Sequence, residues 1–279
     1  MKYLLLLMLL GCQTVKNDTE PKSILVPGDD IIVFGDWGTG TTEQQEVANG
    51  MTMFCSVNEC SFVITLGDNF YPSGVESVRD QNWDSKFQEV YNGYGRLNLV
   101  FYPSLGNHDH YGKWKPQIEY EGEFWNMPSR YYHIQTDYTD LYAIDTQKFD
   151  DEQIEWLDEQ LAESKMPWRI VYGHHPVYSN GSHGDTGKLK SKLLPILKRH
   201  NVHFYLAGHD HDQEIIEKHG IVFVIAGAAG KLRDLDSTDN VFGVSELGFS
   251  HLSIRSQETR LLMLNKLGQV LFERRYSKD

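Results

Sequence analysis

Five apolar runs along the chain each stop at a glycine, and Asp, Asn or His follows at once. Residues 31–34 lead into Gly35-Asp36-Trp37-Gly38, and 62–66 into Gly67-Asp68-Asn69-Phe70-Tyr71. Residues 99–105 lead into Gly106-Asn107-His108-Asp109, 168–172 into Gly173-His174-His175, and 203–207 into Gly208-His209-Asp210-His211. The runs lack polar alternation, so they predict strands buried on both faces. A glycine lets the backbone turn tightly at the strand end, and the carboxyl ends of sheet strands commonly present working side chains. One strand ending in Gly-Asp is an ordinary turn. Five of them bring oxygen and imidazole donors to one sheet edge and predict a polynuclear metal site.

The pattern between these runs is helical. Thr42 with Gln45 predicts a capping box, followed by Val47, Met51, Phe54 and Cys55 at helical spacing. Trp83, Phe87, Val90 and Tyr91 repeat that spacing. Residues 131–136 and 141–146 read as two strands joined by a short turn. Asp150 is placed to cap a helix whose Ile154, Leu157 and Leu161 face inward. Leu189, Leu193, Ile196 and Leu197 mark another helix, bent or shortened by Pro195. Residues 221–226, 249–255, 259–264 and 270–274 read as closing strands. No repeat, low-complexity tract or linker follows Pro27, so one domain is expected over residues 28–279.

Ahead of that domain, residues 3–10 form an apolar run behind Lys2, too short to span a bilayer but suited to the core of a secretion signal. Leu9-Leu10-Gly11-Cys12 resembles the lipobox of bacterial lipoproteins. The expectation is a signal peptide over residues 1–11 and a lipidated polar tether over 12–27, with Cys12 as the only membrane attachment, on a periplasmic, outer-membrane or cell-surface protein. An ordinary signal peptide with a free Cys12 is the other reading. If Cys12 carries lipid, Cys55 and Cys60 remain as a pair, a disulfide in an oxidising compartment or else two small buried thiols.

Composition narrows the partners. The chain is 40% hydrophobic over 279 residues, enough for one large core or two small ones. Its formal net charge of -13, with no basic stripe, argues against a nucleic-acid polymer. Small phosphorylated substrates remain compatible, because bound metal ions would dominate the local field. Nothing signals an oligomer, and a monomer is expected.

The set GDWG, GDNFY, GNHDH, GHHPVYS, SHGDT and AGHDH, in that order, resembles the purple acid phosphatases, in particular their small tartrate-resistant type within the calcineurin-like metallophosphoesterases. The resemblance runs from about residue 31 to 274. It implies a mixed α/β fold, a four-layer αββα sandwich of two mixed sheets with helices outside. It also implies that Asp36, Asp68, Tyr71 and His211 hold Fe(III), and that Asp68 bridges to a divalent ion, Fe(II), Zn or Mn, held also by Asn107, His174 and His209. A hard trivalent ion suits carboxylate and phenolate, while a divalent one tolerates imidazole and amide oxygen. Ordinary metallophosphoesterases carry a histidine two residues after the first aspartate; here that position is Gly38, and Tyr71 takes over.

The resemblance further implies hydrolysis of phosphate monoesters by in-line attack of a metal-bound hydroxide, with His108 and His183 as catalytic histidines and Asp109 orienting one of these groups. His133, His175, His200 and His203 lie outside the matched positions and read as structural or surface residues. The segment between Asp145 and Asp151 is short where mammalian members carry a restraining loop, so no proteolytic activation is expected. Lys231-Leu232-Arg233 differs enough to leave substrate preference open. Two alternatives are a phosphodiesterase of the wider family and a non-catalytic metal-binding surface lipoprotein.

Overall fold

The computed structural model describes residues 21–236 and 241–278. The signal peptide, Cys12 and the start of the tether lie outside the described residues. In chain order the strands are β1 (Ser23–Leu25), β2 (Asp30–Phe34), β3 (Phe62–Thr65), β4 (Phe101–Pro103), β5 (Tyr132–Gln135), β6 (Thr139–Ala143), β7 (Trp168–Tyr172), β8 (Phe204–Ala207), β9 (Gln213–Lys218), β10 (Ile221–Ala226), β11 (Phe242–Val244), β12 (Gly248–Ile254), β13 (Glu258–Asn265) and β14 (Val270–Ser277). The helices are α1 (Thr42–Cys55), α2 (Glu89–Tyr91), α3 (Asn107–Tyr111), α4 (Lys115–Glu119), α5 (Asp151–Glu163), α6 (Gly187–Lys192) and α7 (Leu194–Arg199).

Among the described residues these strands form two mixed sheets, one in the order β1-β5-β6-β7-β8-β10-β9-β11 and the other β14-β13-β12-β2-β3-β4. The parallel strands β2, β3 and β4 share one direction in the second sheet, and β6, β7, β8 and β10 in the first. The absence of polar alternation has a direct cause. Phe204 and Leu206 of β8 join a core that includes Leu252, Leu261 and Met263 of the other sheet. Tyr205 and Ala207, pointing the opposite way, pack with Leu157 and Leu161 of α5, Leu189 of α6 and Leu197 of α7. Both faces of the strand are therefore covered, which gives the layered αββα arrangement.

Several local expectations shift. The fold begins before residue 28: Ser23–Leu25 pairs in parallel with β5, Ser23 opposite His133, as the edge strand of its sheet. The helix from Thr42 is capped by Thr41 without a side-chain bond, so Thr42 is its first residue and no capping box forms with Gln45. Asp150 does cap α5, accepting from the Gln153 N–H at 3.1 Å. The turn ahead of α2 is a π-helix over Asp84–Gln88, and Pro195 stands at the start of α7, separating it from α6. Cys55 and Cys60 are joined by a disulfide between α1 and β3.

An aromatic cluster under the β2 and β3 ends fixes the loops that follow them. The Trp37 ring lies 5.6 Å from that of Phe70 and 5.3 Å from that of Tyr91. The Trp37 Nε1–H donates to Asn69 Oδ1 at 3.1 Å. Trp37 follows Asp36 and Asn69 follows Asp68, so this packing sets where both carboxylates emerge.

Candidate metal centre

The five strand ends meet. Asp36 follows β2, Asp68 follows β3, Asn107 and His108 follow β4, His174 follows β7, and His209 and His211 follow β8. Asp36, Asp68 and His209 adopt left-handed backbone, with φ of 58°, 50° and 71°. Such conformations are costly for residues other than glycine and concentrate at functional sites. Gly67, at φ 83°, lies so close to Gly106 and His174 that a Cβ there would stand 2.7 Å from the Gly106 nitrogen. Gly38 has no room for a side chain, since a Cβ would run into the Asn69 carbonyl. Its own carbonyl instead accepts the Tyr71 N–H at 2.9 Å, so the missing histidine position helps to place the tyrosine.

Two groups of donor atoms result. Tyr71 Oη lies 3.0 Å from Asp36 Oδ1, 3.0 Å from Asp68 Oδ2 and 3.3 Å from His211 Nε2. His174 Nε2 lies 3.0 Å from Asn107 Oδ1, 3.1 Å from His209 Nδ1 and 3.5 Å from Asp68 Oδ1. Asp68 thus presents one oxygen to each group. Two orientations follow from hydrogen-bond chemistry. His174 Nδ1 faces the Leu66 carbonyl at 2.8 Å and must carry the proton, which leaves the Nε2 lone pair facing the group. Asn107 Nδ2 donates to Tyr111 Oη at 3.1 Å, which turns its amide oxygen toward His174.

The electrostatics favour a cation. Burial, then the charge of neighbouring Asp68, pushes the Asp36 carboxyl well above the ordinary range, and burial raises Asp68 as well. Burial, then Asp36 and Asp68, pushes the Tyr71 phenol far upward. Burial and neighbouring imidazoles push His174 and His209 strongly down, and burial and the nearby Arg233 lower His211 to about 4. Neutral imidazoles facing buried acids form a donor set whose carboxylates lack compensating charge, as a metal site requires.

Around these groups opens a cleft of about 390 Å³. His108 and His183 stand on its walls, outside the two donor groups, with side chains about a third exposed (29% and 34%). His108 Nδ1 lies 2.6 Å from the Pro72 carbonyl, and His183 Nδ1 lies 2.8 Å from Asp210 Oδ1. Asp109 differs from expectation. Its carboxylate touches neither imidazole; it accepts from Gly106 N–H at 2.8 Å, Gln117 Nε2 at 2.8 Å and Asn69 N–H at 3.1 Å, so it braces the β3 and β4 loops. Burial raises its carboxyl to about 7.

The carboxylate that holds a cleft histidine is Asp210, which sequence reasoning left without a role although it sits between His209 and His211. His175 also differs: it lines the cleft, with its ring 4.5 Å from that of His209 and its Nδ1 2.8 Å from Thr146 Oγ1. Its place directly after His174 was the available signal. His133, His200 and His203 engage Asp140, Asp158 and the Arg169 backbone.

The calcineurin-like phosphoesterase family matches residues 30–213. The chain is 30% identical to tartrate-resistant acid phosphatase type 5 of Oryctolagus cuniculus, over 89% of this chain and 90% of that protein. It is also 30% identical to purple acid phosphatase 3 of Arabidopsis thaliana, over 86% of this chain and 75% of that one. The fold is shared with GAP50, the anchor in the inner membrane complex of Plasmodium (TM-score 0.82, 24% identity, 90% and 89% covered). It is shared too with the purple acid phosphatase PPD1 of Lupinus luteus (TM-score 0.70, 15% identity, 90% and 54% covered). A sheet edge that gathers carboxylates, imidazoles and a phenol, together with these matches, defines a metallophosphoesterase. Within that class the chain belongs to the purple acid phosphatase family.

Proposed function

We propose that the chain is a binuclear metal-dependent acid phosphatase that hydrolyses phosphate monoesters. Asp36, Asp68, Tyr71 and His211 would hold Fe(III). Asn107, His174 and His209, with Asp68 shared, would hold a divalent ion, Fe(II), Zn or Mn. The observation that carries the reading is Asp68, whose Oδ2 accepts from Tyr71 while its Oδ1 faces His174. A carboxylate so placed can bridge two cations. The first group offers carboxylates and a phenol to a hard ion, the second imidazoles and an amide oxygen. When bound, two cations would supply Lewis acidity to a phosphate oxygen and to the attacking water.

The chain's own histidines do the rest. His108 and His183 each have Nδ1 against an acceptor, the Pro72 carbonyl and Asp210. His108 therefore keeps Nε2 for the cleft, where it can hold a hydrogen bond to the phosphate or hand a proton to the leaving oxygen, while His183 Nε2 faces Arg233 Nη1 at 2.5 Å and meets the substrate by exchanging that contact. Metal analysis with turnover of nitrophenyl phosphate against bis-nitrophenyl phosphate tests the reading. Two metals per chain and faster monoester hydrolysis are expected. Preference for the diester would move the protein to the phosphodiesterase alternative, and a metal-loaded, inactive protein would leave only a binding role.

Export as a lipoprotein anchored through Cys12 is part of the same proposal. The Cys55–Cys60 disulfide supports an oxidising compartment, and no described helix is long and apolar enough to cross a membrane. The proposed partner is a small phosphorylated molecule rather than a nucleic-acid polymer, acted on by a monomer.

A further inference from the structure

The mouth of the cleft carries two cations that the hydrolysis described above does not use. After β10 the chain passes the site as Gly230-Lys231-Leu232-Arg233, tied down where the Arg233 N–H donates to the His211 carbonyl at 3.0 Å. Arg233 lines the cleft, and its Nη1 lies 3.0 Å from His183 Nδ1 and 2.5 Å from Nε2. The Lys231 Nζ sits 4.1 Å from the centre of the Tyr71 ring.

Neither is neutralised by an acid among the described residues. Arg130 is held by Asp145 and Asp150, Arg199 by Asp158 and Arg260 by Glu273. Among the described residues neither Lys231 nor Arg233 has a carboxylate within ion-pair distance, although the chain carries 39 acidic residues against 26 Lys and Arg. An imidazole nitrogen can take one of the five donors of a guanidinium, and an aromatic face takes none of an ammonium's N–H groups as a full hydrogen bond. Both side chains are exposed, so the donors they leave over face solvent at the rim.

We infer that Lys231 and Arg233 form a subsite for a second anionic group on the substrate, a phosphate or carboxylate carried on the leaving-group side. The inference rests on the phosphatase reading above and narrows its substrate class to phosphate esters that bear a further acidic group. Position supports the leaving-group side. His183 stacks on His209 with ring centroids 4.1 Å apart, and Arg233 stands on His183, one side chain further from the donor groups. A phosphate seated at those groups would therefore extend its attached alcohol toward Arg233. The guanidinium fork matches phosphate and carboxylate, and Lys231 adds a mobile point charge.

The test compares matched substrates on the metal-loaded protein: phosphoglycerate against glycerol phosphate, and fructose bisphosphate against fructose monophosphate. The wild type is expected to have the higher kcat/KM on at least one doubly anionic member. In Arg233→Gln and Lys231→Gln that selectivity ratio should fall about tenfold or more, the loss of a charge-assisted hydrogen bond. Arg233→Lys should restore part of it. A fall confined to the phosphoglycerate pair assigns a carboxylate, and one confined to the fructose pair assigns a phosphate. Equal losses on both members of each pair, or unchanged ratios, would overturn the subsite. If the wild type turned over none of the four, nitrophenyl phosphate would decide the phosphatase reading on its own, and calorimetry would decide the subsite. Tighter binding of fructose bisphosphate than monophosphate, lost in the variants, would support it, and equal binding would overturn it.

Discussion

His183 Nδ1 lies 2.8 Å from Asp210 Oδ1, and the same oxygen accepts the His183 backbone N–H at 3.0 Å. One buried carboxylate thus fixes both the loop and the ring of a histidine in the Gly181–Gly184 turn, while a second oxygen takes the Ser179 hydroxyl. The arrangement holds the proton on Nδ1 and leaves the Nε2 lone pair facing Arg233 Nη1 at the cleft wall.

Replacing Asp210 with Asn should therefore lower kcat about tenfold or more, and His183→Ala about a hundredfold, with metal content unchanged. The double variant should be little worse than His183→Ala, because Asp210 acts through the ring. His108→Ala should also cost about a hundredfold with full metal. Loss of metal in step with activity would mean that these residues serve the ligand shell instead.

Asp212 carries a different consequence. It is fully buried, neither carboxyl oxygen has a hydrogen-bond partner, and burial with Glu214 and Asp210 nearby raises it from 3.8 to about 9. Between those values the folded chain keeps a proton that the unfolded chain releases. Its stability contribution is therefore complete below 3.8 and is lost as pH rises toward about 9, at roughly 1.4 kcal/mol per unit per proton. Asp212→Asn removes that dependence. Thermal melts at about pH 5 and about pH 8 should show the variant gaining on the wild type at the higher pH; a variant that instead loses ground there would point to a cation held by Asp212.

Much of this site could be read from spacing because each donor sits at a fixed offset from its own strand end. Asp36, Asp68, Asn107, His174 and His209 all follow a run and a glycine. What spacing cannot show is which loops face each other. Asp210 meets His183 from 27 positions away, whereas Asp109, next to His108 in sequence, braces the loops that carry Asp68 and Asn107. Arg233 reaches His183 from 50 positions away. Strand β9 escaped notice for another reason: it begins Gln213-Glu214, polar residues that are nevertheless buried, and its apolar part, Ile215-Ile216, is too short for a pattern.

The anchor proposed at Cys12 makes a simple prediction. No described helix is long and apolar enough to cross a membrane, so if the proposed lipid on Cys12 is the anchor, Cys12→Ser should move the protein from the membrane fraction to the soluble one with its phosphatase activity intact. Wild-type protein that is already soluble without detergent would remove the lipoprotein reading and leave the enzyme unchanged.

The sharpest prediction concerns Tyr71. Its hydroxyl lies 3.0 Å from carboxyl oxygens of both Asp36 and Asp68, and burial with those two neighbours pushes its ionisation far above the ordinary phenol range. Left to the protein alone, the phenol keeps its proton and donates to the acids. A bound trivalent cation would reverse that balance, because it stabilises phenolate directly and neutralises the carboxylates that oppose ionisation. Phenolate on Fe(III) donates charge to the metal, so aerobically purified protein should contain iron and show a broad visible band. Tyr71→Phe keeps the ring's packing on His108 but deletes the oxygen. The band should vanish and iron should be lost more readily to chelators, since Gly38 has no room for a replacement ligand. A wild-type protein that is active, colourless and loaded with two zinc or manganese ions would show that Tyr71 holds no Fe(III), while leaving the phosphoesterase chemistry of the cleft in place.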